Sequence, residues 1–312
     1  MSNTLTAVVF PGQGSQRKGM GKDFFDTVAV SRSTYEEASQ ALGWDVARCC
    51  FEENDHLDMT QFSQPCILTT QIAMLRGLES VYGFKPQFFG GHSLGEYTAL
   101  VAAGVMPFVQ AVKAVQVRGQ LMQAAVPPGV GAMAAVIVEN LDVDHLCEVL
   151  ETLNMDAANI NSSSQVVISG EAARMDIAQE KLAQILGAEA MRFVLLNVSA
   201  PFHSRFMRPV EAEFRQVLEA FADTLVLENA SKVLSNFTGN FHTQNKHQLM
   251  DNLVFQLSNP VRWTDNMTAL SQKTRQIFEI GPDRPLRGFF KSMGLECTSI
   301  TRLSAAERAF VQ

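Results

Sequence analysis

The run Phe88-Phe89-Gly90-Gly91-His92-Ser93-Leu94-Gly95-Glu96 constrains this chain more than any other segment. Two aromatic residues read as a short strand, a glycine-flanked turn follows, and an apolar helix runs over 96–103. The spacing is G-x-S-x-G, the nucleophile-elbow pattern. Its glycines have a steric reason, since the flanking positions must be small where neighbouring backbone comes close. The turn lifts the serine hydroxyl into the open at a helix N-terminus. Free N–H groups there suit a developing oxyanion. Ser93 is therefore the candidate nucleophile, and the plain alternative is a serine helix cap.

The flanking sequence reads as α/β. Residues 5–10 form a strand that runs into Pro11-Gly12-Gln13-Gly14-Ser15-Gln16, a glycine-rich loop at the carboxyl end of a strand. Helices are expected over 23–43, over 64–82 with Pro65 near its first turn, and over 108–125, ending at Pro127-Pro128-Gly129. The rhythm changes after Gly129. Strand 132–138, helix 142–153, strands 157–161 and 165–169, helix 171–186 and strand 191–197 follow in the order of a ferredoxin-like module. This places a small subdomain at 130–197, inserted in a large domain made of 1–129 and 198–312. The large domain then resumes with a helix over 204–221, a strand at 232–235, a helix over 246–256, a helix after Trp263, a strand at 276–280 and a last helix after Gly281-Pro282.

Composition excludes several classes. A chain of 312 residues with 46% hydrophobic content buries a sizeable core. The formal charge of −7 argues against nucleic acid as a partner. Arg284, Arg287 and Lys291 lie at helical spacing and read either as a phosphate-holding cluster or as a solvated face. The apolar run Ala7–Phe10 is too short for a signal peptide or a membrane span. The five cysteines are scattered, with Cys49 and Cys50 adjacent and no metal-ligand spacing, so neither a metal nor a disulfide is expected. These features read as a cytoplasmic chain without membrane association.

A serine nucleophile needs a base. Of the six histidines, His92 precedes the serine and points elsewhere in such a turn. His56, His145, His242 and His247 have polar neighbours and read as surface. His203 stands in Val198-Ser199-Ala200-Pro201-Phe202-His203-Ser204, where a strand gives way to a helix, and is the candidate base. Its orienting partner stays open: Asp251, Glu279 and Asp283 qualify by sequence, and a carbonyl or amide serves as well, since the need is a fixed tautomer. Arg118, on an apolar-leaning helix, needs an anionic partner. That partner is either a substrate carboxylate held by the guanidinium fork or an internal carboxylate such as Glu96 or Glu79.

These segments together resemble the malonyl-CoA:acyl carrier protein transacylase family. The matching runs are Phe10–Gln16, Gln64-Pro65, Gly91–Tyr97, Arg118-Gly119, Asn161 with Gln165–Gly170, Phe202-His203-Ser204, Gln256–Trp263 and Glu279–Pro282. They cover nearly the whole chain in family order. The resemblance implies an α/β-hydrolase-like large domain with a ferredoxin-like small domain and the active site between them. It implies ping-pong acyl transfer with no retained cofactor, coenzyme A being part of a substrate. By the same resemblance Ser93 attacks malonyl-CoA with His203 as general base, and the N–H groups of Gln13 and Leu94 hold the oxyanion. Arg118 pairs with the malonyl carboxylate, the Gln256 carbonyl orients the histidine, and Asn259 helps order that loop.

Two departures bear on pathway. Phe202 stands where many fatty-acid-synthesis members have serine, and Gly281-Pro282-Asp283-Arg284-Pro285-Leu286 differs from the glycine-lysine-valine-leucine run of the housekeeping enzyme. Both lean toward free-standing polyketide acyltransferases, with fatty acid synthesis kept open. Phe202 resembles the malonyl-selecting form of those acyltransferases, which implies that it crowds the space beside the acyl α-carbon and favours malonyl over methylmalonyl. The expected partner is an acidic acyl carrier protein, met by a local basic patch drawn from Arg205, Arg208, Lys232, Arg284, Arg287 and Lys291. A monomer is expected because one chain supplies the full site. The competing activity is an acyl hydrolase that passes the same acyl-serine to water, and the presence of Arg118 argues against it.

Overall fold

The computed structural model describes residues 5–198 and 200–311. The chain begins with β1 (Thr6–Phe10), α1 (Lys22–Thr27), α2 (Ala29–Leu42), α3 (Val46–Phe51), α4 (Thr60–Tyr82), β2 (Phe88–Gly91), α5 (Leu94–Ala102) and α6 (Phe108–Ala124). It continues with β3 (Gly131–Ile137), α7 (Val143–Thr152), β4 (Asp156–Ser162), β5 (Gln165–Glu171), α8 (Met175–Leu186) and β6 (Arg192–Leu195). It closes with α9 (Glu211–Glu219), β7 (Leu234–Ser235), β8 (Asn240–Phe241), α10 (Lys246–Phe255), α11 (Trp263–Ser271), β9 (Gln276–Ile280), α12 (Pro285–Ser292), β10 (Cys297–Ile300) and α13 (Leu303–Phe310).

The large domain is built on a parallel sheet in the order β10-β9-β1-β2. Successive residues of a strand face opposite sides, and both sides of this sheet are covered. Val8, Phe10 and Phe278 join the main core, which includes the buried helix α4. Ala7, Val9 and Ile277 join a second core with Trp263, Met267 and Phe290. The carboxyl ends of β1 and β2 therefore open side by side, which brings the loop after Phe10 next to the turn after Gly91.

The segment between Gly131 and Leu195 folds as β-α-β-β-α-β, with the antiparallel sheet order β4-β5-β3-β6. This is ferredoxin-like topology. Its core is separate and includes Val136, Leu146, Leu150, Val166, Ile168 and Leu182. The molecule is thus a large α/β domain with a ferredoxin-like subdomain. The small sheet is also tied to the large domain through main chain. Ile160 N donates to Val261 O, and Val261 N to Ala158 O, each at 2.9 Å.

Several local expectations are corrected. The helix expected over 23–43 is two helices, broken at Val28, whose φ of −114° and ψ of 115° are extended. Pro65 sits inside α4 rather than near its start, because the helix begins at Thr60. The helix expected over 204–221 opens as a 3₁₀ turn, Arg205–Val210, and becomes α-helical only at Glu211. Pro209 lacks the N–H that a regular helix needs there. The sequence reading did not anticipate α3, β8, β10 or α13. No helix among the described residues is long and apolar enough to cross a membrane.

Candidate active site

Ser93 stands between β2 and α5 with φ 52° and ψ −106°, a strained backbone for a residue with a side chain. The turn leaves no room beside it. A Cβ on Gly91 would lie 2.0 Å from the Gly95 carbonyl, and one on Gly95 would lie 2.1 Å from the Phe10 carbonyl oxygen. Real Cβ atoms do not approach so closely, so both glycines of the motif follow from packing of the turn on itself and on β1. The Ser93 N–H donates to Asn236 Oδ1 at 2.6 Å. Asn236 in turn donates to the Gly91 carbonyl at 2.8 Å and pins the turn from behind.

The Ser93 hydroxyl lies 2.7 Å from His203 Nε2, and His203 Nδ1 lies 2.7 Å from the Gln256 carbonyl. A carbonyl only accepts, so the ring proton sits on Nδ1 and the Nε2 lone pair faces the serine. His203 is 4% exposed. Burial first, and the positive charge of Arg118 second, push its pKa down to about 3, against the raising effect of the Gln256 carbonyl. The imidazole is therefore neutral near pH 7. None of the carboxylates weighed as its partner takes that place. Asp251 pairs with Arg215, Asp283 is exposed, and Glu279 accepts the N–H groups of Leu286 and Arg287 at the start of α12.

Arg118 is 1% exposed and has no carboxylate in direct contact among the described residues. The expected alternative of an ion pair with Glu96 or Glu79 is not formed. The Arg118 Nη1 donates to Gln64 Oε1 at 2.9 Å. Its Nη2 donates to Gln256 Oε1 at 2.9 Å and to the Ser93 hydroxyl at 3.1 Å. Its buried Nε has no partner among the described residues. Burial lowers the Arg118 pKa, and the group still carries its charge. The adjacent Gly119 lets α6 approach α4, because a Cβ there would lie 2.6 Å from the Thr60 carbonyl oxygen.

Ser93, Arg118, Phe202, His203 and Gln13 all line one cleft of about 700 Å³ between the large domain and the small sheet. Met133, Ala135, Asn161 and Val167 close it from the small-sheet side. Among the described residues, neither the Gln13 nor the Leu94 N–H meets a protein acceptor. Asn259 does not bond His203 through its side chain. It donates to Phe255 O at 2.9 Å and to Ser258 Oγ at 3.0 Å, within the turn that carries Gln256. His92 lines the cleft as well, and its Nε2 meets Asn161 Oδ1 at 2.8 Å rather than the Ser93 hydroxyl.

Some placements differ from the sequence reading. His242, read as a surface residue, is 2% exposed and lies 2.8 Å from Glu96 Oε1. Sequence reasoning misses Asn236. Its only sequence signal is its place just after a short strand, where α/β enzymes present functional groups. In the basic patch, Arg205 is occupied by Asp156 and Glu151. Arg284 precedes α12 rather than lying on it, so helical spacing joins only Arg287 and Lys291.

The acyl transferase domain family matches residues 7–282 of this chain. The chain belongs to the acyl transferase family. A curated relative from Bacillus subtilis (strain 168), a malonyl CoA-acyl carrier protein transacylase, is 37% identical over 301 residues, covering 94% of this chain and 92% of the relative. The solved malonyl-CoA:acyl carrier protein transacylase of Xanthomonas oryzae superposes with a TM-score of 0.91 at 34% identity, covering 99% of this chain and 98% of that one. A solved type II polyketide acyl-carrier protein in complex with its malonyl-transacylase gives 0.87 at 34% identity, covering 98% of this chain and 99% of that one. In this acyl transferase the matched segment contains the whole serine, histidine and arginine constellation.

Proposed function

We propose that this acyl transferase moves a malonyl group from malonyl-CoA, through an acyl-Ser93 intermediate, to the phosphopantetheine thiol of an acyl carrier protein. The observation that carries the reading is Arg118: a buried guanidinium with an unpartnered Nε, 3.1 Å from the Ser93 hydroxyl, facing the cleft. A malonyl carboxylate lies two bonds from the carbon under attack and supplies the anion that this guanidinium lacks. A neutral acyl chain leaves it unpaired, which disfavours acetyl and longer groups more than pocket size does.

The Ser93 oxygen attacks the thioester carbon while its proton passes to His203 Nε2, and the Gln256 carbonyl steadies the resulting imidazolium through Nδ1. The Gln13 and Leu94 N–H groups receive the oxyanion. The tetrahedral adduct collapses, the C–S bond breaks, and the departing thiolate takes the proton back from His203. The carrier thiol then repeats the sequence in reverse and frees Ser93. Phe202 narrows the room beside the acyl α-carbon and favours malonyl over methylmalonyl. The basic groups that meet an acidic carrier are drawn from Arg208, Lys232, Arg284, Arg287 and Lys291.

The test is intact-protein mass after brief incubation with malonyl-, methylmalonyl-, acetyl- and longer acyl-CoA. A persistent malonyl adduct is expected. It should be absent in Ser93→Ala, weakened in Arg118→Ala, and discharged by a holo carrier protein. Neutral acyl adducts lost rapidly to water would overturn the transfer reading in favour of hydrolysis.

A further inference from the structure

Glu96 follows the elbow directly, in the first turn of α5, and its side chain is wholly buried. Both carboxylate oxygens are engaged. The Oε1 atom faces His242 Nε2 at 2.8 Å, and Oε2 accepts from Gln256 Nε2 at 2.6 Å and from Asn236 N at 2.9 Å. Asn252 Nδ2 lies 3.3 Å from His242 Nδ1, so Nδ1 accepts and the ring proton sits on Nε2, directed at Glu96.

The Gln256 amide lies between Glu96 and Arg118. Its Nε2 donates to Glu96 Oε2 and to the Ser93 carbonyl, and its Oε1 accepts from Arg118 Nη2 at 2.9 Å. A carboxylate only accepts and a guanidinium only donates. One amide orientation satisfies both ends, and the flipped orientation sets oxygen against carboxylate and N–H against guanidinium in a site closed to water. The buried negative and positive charges are joined through this amide rather than by a direct ion pair. Gln64 and Gln256 fix the Arg118 fork, and its Nε remains without a partner among the described residues.

We propose that Glu96, acting through the Gln256 side chain, is the positioning residue that aims Arg118 at the acyl carboxylate and so sets malonyl selectivity. This rests on the reading of Arg118 given above. His203 is held by the Gln256 main-chain carbonyl and not by its amide. The relay therefore governs recognition of the acyl group more than proton transfer. A direct Glu96–Arg118 contact would compete with substrate, whereas the inserted amide keeps the two charges correlated without filling the clamp.

The experiment compares acyl-enzyme formation from malonyl-CoA and acetyl-CoA in the wild type, Glu96→Gln, Gln256→Leu and the double variant. Melting temperatures are recorded for each. In Glu96→Gln the amide of Gln256 faces another amide and loses its fixed sense. The malonyl-to-acetyl preference should fall about tenfold or more, carried mainly by KM for malonyl-CoA, with acetyl loading changed little. The double variant should be no less selective than either single variant, as expected of one relay. If Glu96→Gln fails to fold, Gln256→Leu still reads the relay, since it breaks at its second member. An unchanged preference in either folded variant, or additive losses in the double variant, would overturn the proposal. A wild type that forms no malonyl adduct would overturn the proposed function as well.

Discussion

Arg118 Nη2 and the Ser93 hydroxyl lie 3.1 Å apart, the guanidinium buried and the serine half-buried where both line the cleft. A nucleophile seldom has a buried cation as its second neighbour, and the pairing ties recognition of the acyl group to the attacking atom. Arg118→Ala should lower kcat/KM for malonyl-CoA by roughly 10²-fold or more, the scale for removing one partner of a buried charge pair. Acetyl-CoA should lose far less. Arg118→Lys should recover only part of the malonyl rate, because an ammonium cannot reproduce the fork that reaches Gln64, Gln256 and the serine together. Burst kinetics of acyl-enzyme formation on the two thioesters would check both.

The depressed pKa of His203 gives a pH prediction. The base works when neutral, and its folded pKa is about 3. Labelling of Ser93 by a neutral phosphonyl fluoride should stay level from about pH 8 to about pH 5. Arg118→Ala removes one of the causes that lower this pKa, so its acid limb should appear at higher pH than in the wild type. A limb at the same pH in both proteins would contradict the assignment.

The same shift acts on stability. The unfolded chain protonates its histidines near their ordinary value of about 6.5, whereas folded His203 and His92 hold out to about 3 and about 4. Between those limits the unfolded state binds more protons. The stabilising contribution is full above about pH 6.5 and is lost progressively as pH falls toward the folded values. Urea midpoints measured from about pH 7 to about pH 4 should fall, and His203→Gln should flatten part of the slope.

Gly95→Ala is a steric test of the elbow. Its Cβ would lie 2.1 Å from the Phe10 carbonyl oxygen, where only main chain could give way. A loss of about 1–3 kcal/mol or more is expected, with Ser93 labelling reduced beyond what the lower stability explains. Thermal unfolding and labelling rate together would separate the two effects.

Phe202→Ser should open the space beside the acyl α-carbon. Methylmalonyl loading should rise relative to malonyl by about tenfold, the scale of discrimination by a methyl group. Competition between the two thioesters, read by intact mass, would show it.

The elbow was legible because its glycines answer to local crowding, and the ferredoxin-like order because short strands and helices alternate with clear periods. His242 shows where such reading stops. Its neighbours in sequence are polar, and its burial comes from Glu96, 146 residues away. The orienting group of His203 is a main-chain carbonyl, which any residue carries, so the bottom-up reading of side chains left it open and only the family resemblance pointed to Gln256. The break at Val28 has no glycine or proline to announce it. The late elements β10 and α13 are each short, and their form is set by packing on β9 rather than by their own pattern.

The main-chain pairing of Ala158 and Ile160 with Val261 has a mechanical consequence. One wall of the acyl cleft hangs from the same stretch of backbone that, five residues earlier, carries the carbonyl under His203. The cleft cannot widen along that seam without straining the hinge of its own proton shuttle. A bulkier acyl group that pushes on this wall therefore also pulls on the backbone that steadies the base, so size and proton transfer are felt together.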